Sequence, residues 1–80
     1  MLKVYGSILC PDCVNCREAL DKAAVEYEYR DFADSLKNLK EFLLLREGLA
    51  FDEVRREGKI GIPCILREDG SVTLDWEEFM

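Results

Sequence analysis

The stretch Cys10-Pro11-Asp12-Cys13-Val14-Asn15-Cys16 decides how this chain is read. Two cysteines separated by two residues can close a small disulfide when the turn between them opens a helix. Pro11 suits that opening, because a proline at the first helical position gives up only an amide that would have no partner there. Upstream, Leu2-Lys3-Val4-Tyr5-Gly6-Ser7-Ile8-Leu9 alternates apolar and polar residues, which predicts a strand over Leu2–Gly6 running into a loop. Leu2, Val4 and Ile8 mark one face of this segment, with Lys3 and Tyr5 opposite. Downstream, the Glu, Ala, Leu and Lys content of Arg17 to Val25 predicts a helix from Pro11 to Val25. Cys13, Cys16, Leu20, Ala23, Ala24 and Tyr27 recur every three or four residues, so Cys13 and Cys16 share its buried face. Cys10 and Cys13 thus fall where a strand hands over to a helix N-terminus, a place where unpaired amides and the helix dipole stabilise a thiolate.

A second strand is expected over Glu26–Asp31, where Tyr27 and Tyr29 alternate with Glu28 and Arg30. Strand, helix and strand in this order form a βαβ unit whose right-handed crossover makes the two strands parallel. Asp34 or Ser35 can cap a further helix that carries Leu36, Leu39, Phe42 and Leu43 on one side and ends before Gly48. Phe51–Glu57 reads as a short helical piece stopped at Gly58. Lys59–Leu66 reads as a strand, with Pro63 near its start. Asp69-Gly70 signals a hairpin, with Val72–Leu74 returning and Asp75–Met80 making at most one helical turn. The expected order is β-α-β-α-β-β in a single α/β domain over 1–80, with a mixed four-stranded sheet and a truncated C-terminal helix.

Composition narrows the chemistry. The net charge is −6, which argues against nucleic acid and anionic membrane surfaces as partners. No apolar run approaches the length of about 18 residues that a membrane span needs, and Met1-Leu2-Lys3 leads into a strand rather than a signal peptide. A cytoplasmic location is expected, and there four cysteines point to redox or metal chemistry rather than structural crosslinks. The chain has no histidine, which removes Cys-His nucleophilic catalysis and His-bearing zinc sites.

The element order, the Cys10-Pro11-Asp12-Cys13 motif and the Gly61-Ile62-Pro63 segment together resemble the glutaredoxin branch of the thioredoxin fold. The resemblance runs from Leu2 to about Trp76. It implies a dithiol-disulfide oxidoreductase in which Cys10 attacks a substrate disulfide and Cys13 resolves the mixed disulfide. It also implies a cis peptide bond before Pro63, lying against the cysteines, with Pro11, Ile62, Pro63 and Asp75 contacting substrate. The expected partners are a disulfide-bearing protein or small molecule and a reductant, either glutathione or a flavoprotein reductase. No cofactor is expected, and the protein should be a monomer. Ser7 stands where the family usually carries a cation for a glutathione carboxylate, and Thr73-Leu74 where it carries two glycines. Weak coupling to glutathione follows from these departures.

Cys16 and Cys64 are outside the motif. Packing suits Cys16, which shares a helix face with Leu20. Cys64 follows the expected cis-proline and so should lie near the pair, unless strand alternation points it away. A rival reading is therefore a cysteine-ligated metal or iron-sulfur protein using Cys10, Cys13, Cys64 and Cys16, since C-x2-C-x2-C resembles the spacing of bacterial ferredoxins. A third is a binding domain whose thiols never turn over.

Overall fold

The computed structural model describes residues 1–80. Four strands, β1 (Leu2–Gly6), β2 (Tyr27–Asp31), β3 (Cys64–Leu66) and β4 (Val72–Thr73), form one sheet in the order β2-β1-β3-β4. β1 pairs with β2 in parallel, Gly6 opposite Asp31, as a right-handed crossover through a helix demands. β3 is antiparallel to β1, with Tyr5 opposite Cys64, and β4 is antiparallel to β3. The result is a mixed four-stranded α/β fold with three helices: α1 (Pro11–Lys22), α2 (Leu36–Leu45) and α3 (Asp52–Arg56). No helix is long and apolar enough to cross a membrane.

The sheet separates two clusters of side chains. On one face Leu2, Val4 and Ile65 pack with Cys16 and Leu20 of α1, joined by Tyr27, Tyr29, Trp76 and Phe79. On the other, Tyr5 and Cys64 pack with Phe42 of α2 and Phe51, joined by Val54 of α3. Phe42 bridges the second layer, its ring centroid 5.1 Å from that of Phe32 and 5.8 Å from that of Phe51. Because β1 is central and covered on both faces, Tyr5 is buried rather than solvent-facing, although alternation alone put it opposite the core.

Element boundaries depart most from the sequence expectation at α1 and β3. α1 stops at Lys22 instead of Val25, because Ala23 caps it and Ala24 turns to φ +56°. Ala23 and Ala24 are consequently exposed, and only Cys13, Cys16 and Leu20 form the buried stripe. β3 begins at Cys64 rather than Lys59, since Gly61 (φ +90°) and the cis Ile62-Pro63 bond interrupt the extended run. A Cβ on Gly61 would also stand 2.8 Å from the Phe51 ring, so glycine serves both the turn and the close packing. On α2, Asn38 and Phe42 face inward while Leu36 and Leu43 are exposed; Ser35, whose hydroxyl accepts from the Lys37 amide at 3.1 Å, is the cap. The C-terminal element is a single 3₁₀ turn over Trp76–Phe79.

Candidate functional site

Cys10 occupies the N-cap of α1, with extended dihedrals, and its own amide donates to the Ser7 carbonyl at 3.0 Å. Its sulfur accepts from the Cys13 amide at 3.4 Å, the contact by which a helix start holds a negatively charged group. Pro11 is the first helical residue, as the sequence predicts. One turn on, Cys13 is fully buried while Cys10 remains partly exposed, and all four cysteines are free thiols. Burial pushes the Cys13 thiol up to about 12; Cys10 and Cys16 add to this and the Ser7 main chain opposes it.

Gly6 explains how Cys13 fits. A Cβ there would lie 2.7 Å from the Cys13 sulfur and 2.9 Å from the Tyr29 hydroxyl oxygen, so only glycine lets α1 settle onto the end of β1. Continuing the antiparallel register one residue past Tyr5 and Cys64 sets Pro63 opposite Gly6. Pro63 is buried there, after a cis peptide bond, beside the strand end against which Cys13 packs. The main chain of Ile62 has no backbone hydrogen-bond partner.

Two side chains without any local signature hold the loops around this dithiol. Asp31, buried at the end of β2, accepts from the Ile8 amide at 3.1 Å and the Ala33 amide at 2.7 Å. Arg46, at the end of α2, donates through Nε to the Ile60 carbonyl at 2.9 Å and through Nη2 to the Lys59 carbonyl at 2.6 Å. It therefore fixes the approach to Ile62-Pro63. Arg55 supports it from below, donating to the carbonyls of Arg46 and Gly48. The signal that could have found Asp31 is its position opposite Gly6 in the parallel pairing, which is visible only once the register is known.

Beside the partly exposed thiol the surface carries apolar side chains. Ile8 and Leu9 are 66% and 89% exposed, and Val14 is exposed on the first turn of α1. One hollow of about 290 Å³ lies between Ile8, Val14, Arg17 and Tyr29, and a groove of about 400 Å³ runs along Ile60, Ile62, Pro63 and Leu74. A larger hollow near Met1 and Tyr27 lies at the far end of α1.

The remaining sequence candidates fall elsewhere. Cys16 packs with Leu2, Val4, Leu20 and Ile65, and burial pushes its thiol up to about 11. Cys64 does not join the pair: its partner in register is Tyr5, so it points to the opposite sheet face from Gly6 and Cys13, against Phe42 and Phe51. Burial pushes its thiol up to about 12. The sheet thus stands between Cys64 and the cysteines of α1, so the rival metal reading finds Cys64 on the opposite face from Cys13 and Cys16. Nowhere do three Cys, Asp or Glu side chains converge in a metal-holding group. Asp75 is exposed, and its carboxylate accepts from the Glu77 amide at 3.0 Å, capping the final 3₁₀ turn.

Fold and site together define a small α/β protein with a helix-capping thiol backed by a buried one. No protein-family model matches the chain, and no solved structure matches it at a significant level. An uncharacterized protein of Haemophilus influenzae is 40% identical over 67 residues, which span 82% of this chain and 78% of that protein. The chain belongs to the same family as that protein.

Proposed function

We propose that this protein is a dithiol-disulfide oxidoreductase of thioredoxin/glutaredoxin-like fold, working through Cys10 and Cys13. The observation that carries the reading is the asymmetry of the pair. Cys10 is accessible and accepts an amide hydrogen at a helix N-terminus, whereas Cys13, three residues on, is buried behind it. An attacking thiol needs access and a stabilised negative sulfur; a resolving thiol needs proximity and protection from outside disulfides.

In the first step the Cys10 thiolate attacks one sulfur of a substrate disulfide. A Cys10–substrate disulfide forms, and the other substrate sulfur leaves as a thiolate that takes up a proton. Cys13 then loses its proton and attacks the Cys10 sulfur. The substrate's second thiol departs, carrying that proton equivalent, and a Cys10–Cys13 disulfide remains. Two electrons have moved from the protein to the substrate, and an external thiol reductant, glutathione or a flavoprotein-linked dithiol, restores the starting state.

The exposed Ile8, Leu9 and Val14 around Cys10 favour a protein disulfide over a small charged one, since apolar surface next to a thiol is covered by a partner's side chains. The unpaired main chain of Ile62 is suited to a short strand-like pairing with the substrate backbone. A reducing cytoplasm is the compartment in which such a dithiol would act as a reductant. We take the working unit to be a monomer.

The test is chemical. Oxidised protein, alkylated and mapped by peptide mass, should contain Cys10 joined to Cys13, with Cys16 and Cys64 still free. Cys10→Ser should abolish reduction of a protein disulfide, and Cys13→Ser should accumulate a mixed disulfide through Cys10. A dominant bond involving Cys16 or Cys64, or no trapped adduct, would overturn the assignment.

A further inference from the structure

The three tyrosines differ in one respect. The Tyr5 hydroxyl donates to Glu41 at 2.9 Å and that of Tyr27 to Asp21 at 2.8 Å, but the Tyr29 hydroxyl has no hydrogen-bond partner. Its placement is nonetheless specific. Tyr29 lies opposite Val4 in the parallel pairing, on the α1 side of the sheet, and packs against the cluster containing Val4 and Cys16. Its ring is held from outside by Arg17, whose guanidinium carbon sits 4.1 Å from the ring centroid. Its hydroxyl oxygen and the Cys13 sulfur lie within 2.9 and 2.7 Å of one point, the place a Gly6 Cβ would take. Glycine leaves that place empty, and the two groups border it together.

We infer that the Tyr29 hydroxyl donates a hydrogen bond to the Cys13 sulfur as that sulfur gives up its proton to resolve the mixed disulfide. The inference rests on the oxidoreductase reading and adds to it a residue for its second step. In that step Cys10 is tied up in a disulfide and can no longer serve as the proton's partner. Of the groups around the Cys13 sulfur, Cys16 and the bound Cys10 offer it no donor of strength. The Ser7 main chain and the Tyr29 hydroxyl do. Besides Cys13, the charged or titratable groups that act on Tyr29 are Asp31, Arg17 and Cys10. Burial raises the Tyr29 phenol above its ordinary range, so at neutral pH it keeps its hydrogen and remains a donor. Tyr29 is by this account a catalytic residue of the second step: it does not bond to substrate, but its hydroxyl touches the reacting sulfur and stabilises the negative charge that forms on Cys13.

The experiment follows an aromatic disulfide that liberates one coloured thiolate at each step. Attack by Cys10 releases the first, and attack by Cys13 on the resulting mixed disulfide releases the second. Tyr29→Phe keeps the ring beneath Arg17 and removes only the hydroxyl. The first release should stay within about twofold of the native rate. The second should slow by roughly ten- to a hundredfold, the usual worth of one hydrogen bond to a charged group. An unchanged second release in a folded Tyr29→Phe protein overturns the inference, as does an equal slowing of both releases, which would mark a merely structural role. If Tyr29→Phe does not melt cooperatively, difluorotyrosine placed at 29 carries the test. Its more acidic hydroxyl is the stronger donor and should speed the second release, and an unchanged rate overturns the inference. Failure of the underlying reading looks different, because native protein would then give no second release at all.

Discussion

The carboxylate of Asp31 accepts the amide hydrogen of Ile8 at 3.1 Å, tying the end of β2 to the loop that delivers Cys10. Its other oxygen accepts from Ala33 at 2.7 Å, so a single buried side chain closes two turns at the same end of the sheet. Asp31→Asn leaves one oxygen but turns an amide nitrogen toward a main-chain N–H. One hydrogen bond to a charged group is lost, about 1.5–3 kcal/mol. Urea unfolding should register that loss. Amide exchange at Ile8 or Ala33 should quicken beyond the global change, and no local change at either amide would refute the coupling.

Gly6 should be irreplaceable without repacking. In Gly6→Ala the new Cβ meets the Cys13 sulfur at 2.7 Å and the Tyr29 hydroxyl at 2.9 Å, so side chains must shift. Overpacking of this kind costs about 1–3 kcal/mol, and each 1 kcal/mol is worth roughly 4–8 °C in Tm at this chain length. The Cys10–Cys13 disulfide should also form less readily, because the sulfur that moves is Cys13. Thermal melting and a disulfide equilibrium against a reference dithiol check both parts. A variant as stable as the native protein would show that the close approach relaxes freely.

Stability should fall in alkali with a slope set first by the buried thiols, to which the phenols of Tyr5 and Tyr29, raised by burial, add above about pH 10. Burial pushes Cys13 and Cys64 up to about 12 and Cys16 up to about 11, from an ordinary value of about 9. For an acid whose folded value is raised, the neutral form is favoured by folding. The stabilisation is complete below the unfolded value and is lost as pH climbs through the folded one. Above about pH 9 the unfolded chain sheds these protons first, and stability drops by about 1.4 kcal/mol per pH unit for each thiol. Urea midpoints should be flat from about pH 6 to 8 and then decline. Cys64→Ala should remove one thiol's share of that slope, whatever it does to stability at neutral pH. An unaltered slope in that variant would count against the account.

Glutathione should be a poor reductant for the oxidised protein. The polar groups at the positions that resemble a tripeptide site are already engaged: the Ser7 hydroxyl accepts from Leu9, the Thr73 hydroxyl donates to Glu78, and Asp75 caps Glu77. Lys59 pairs with Glu57 at 2.9 Å, and Arg17 covers Tyr29. Losing one charged contact lowers affinity roughly ten- to a hundredfold. Recycling by a thioredoxin reductase or another dithiol protein should outpace recycling by glutathione and its reductase. The reverse ranking would restore an ordinary glutathione-dependent cycle.

The local features of this protein are determined by its sequence, because each depends on residues within a turn or two of one another. Pro11 behind Cys10 starts the helix, the three- and four-residue spacing of Cys13, Cys16 and Leu20 defines its buried stripe, and a helix between two short strands makes β1 and β2 parallel. The resemblance also anticipated the cis bond at Pro63. What the tertiary structure alone decided depends on register between strands distant in sequence. Cys64 could have faced the dithiol or turned away from it. Pairing with Tyr5 rather than with a neighbour one residue along sends it to the other side of the sheet, since a shift of one residue reverses every side chain. The same logic brings Asp31 opposite Gly6 and aims Tyr29 at the space that Gly6 leaves. Neither has any local signature, because a carboxylate or a tyrosine in a strand looks the same whichever strand it meets.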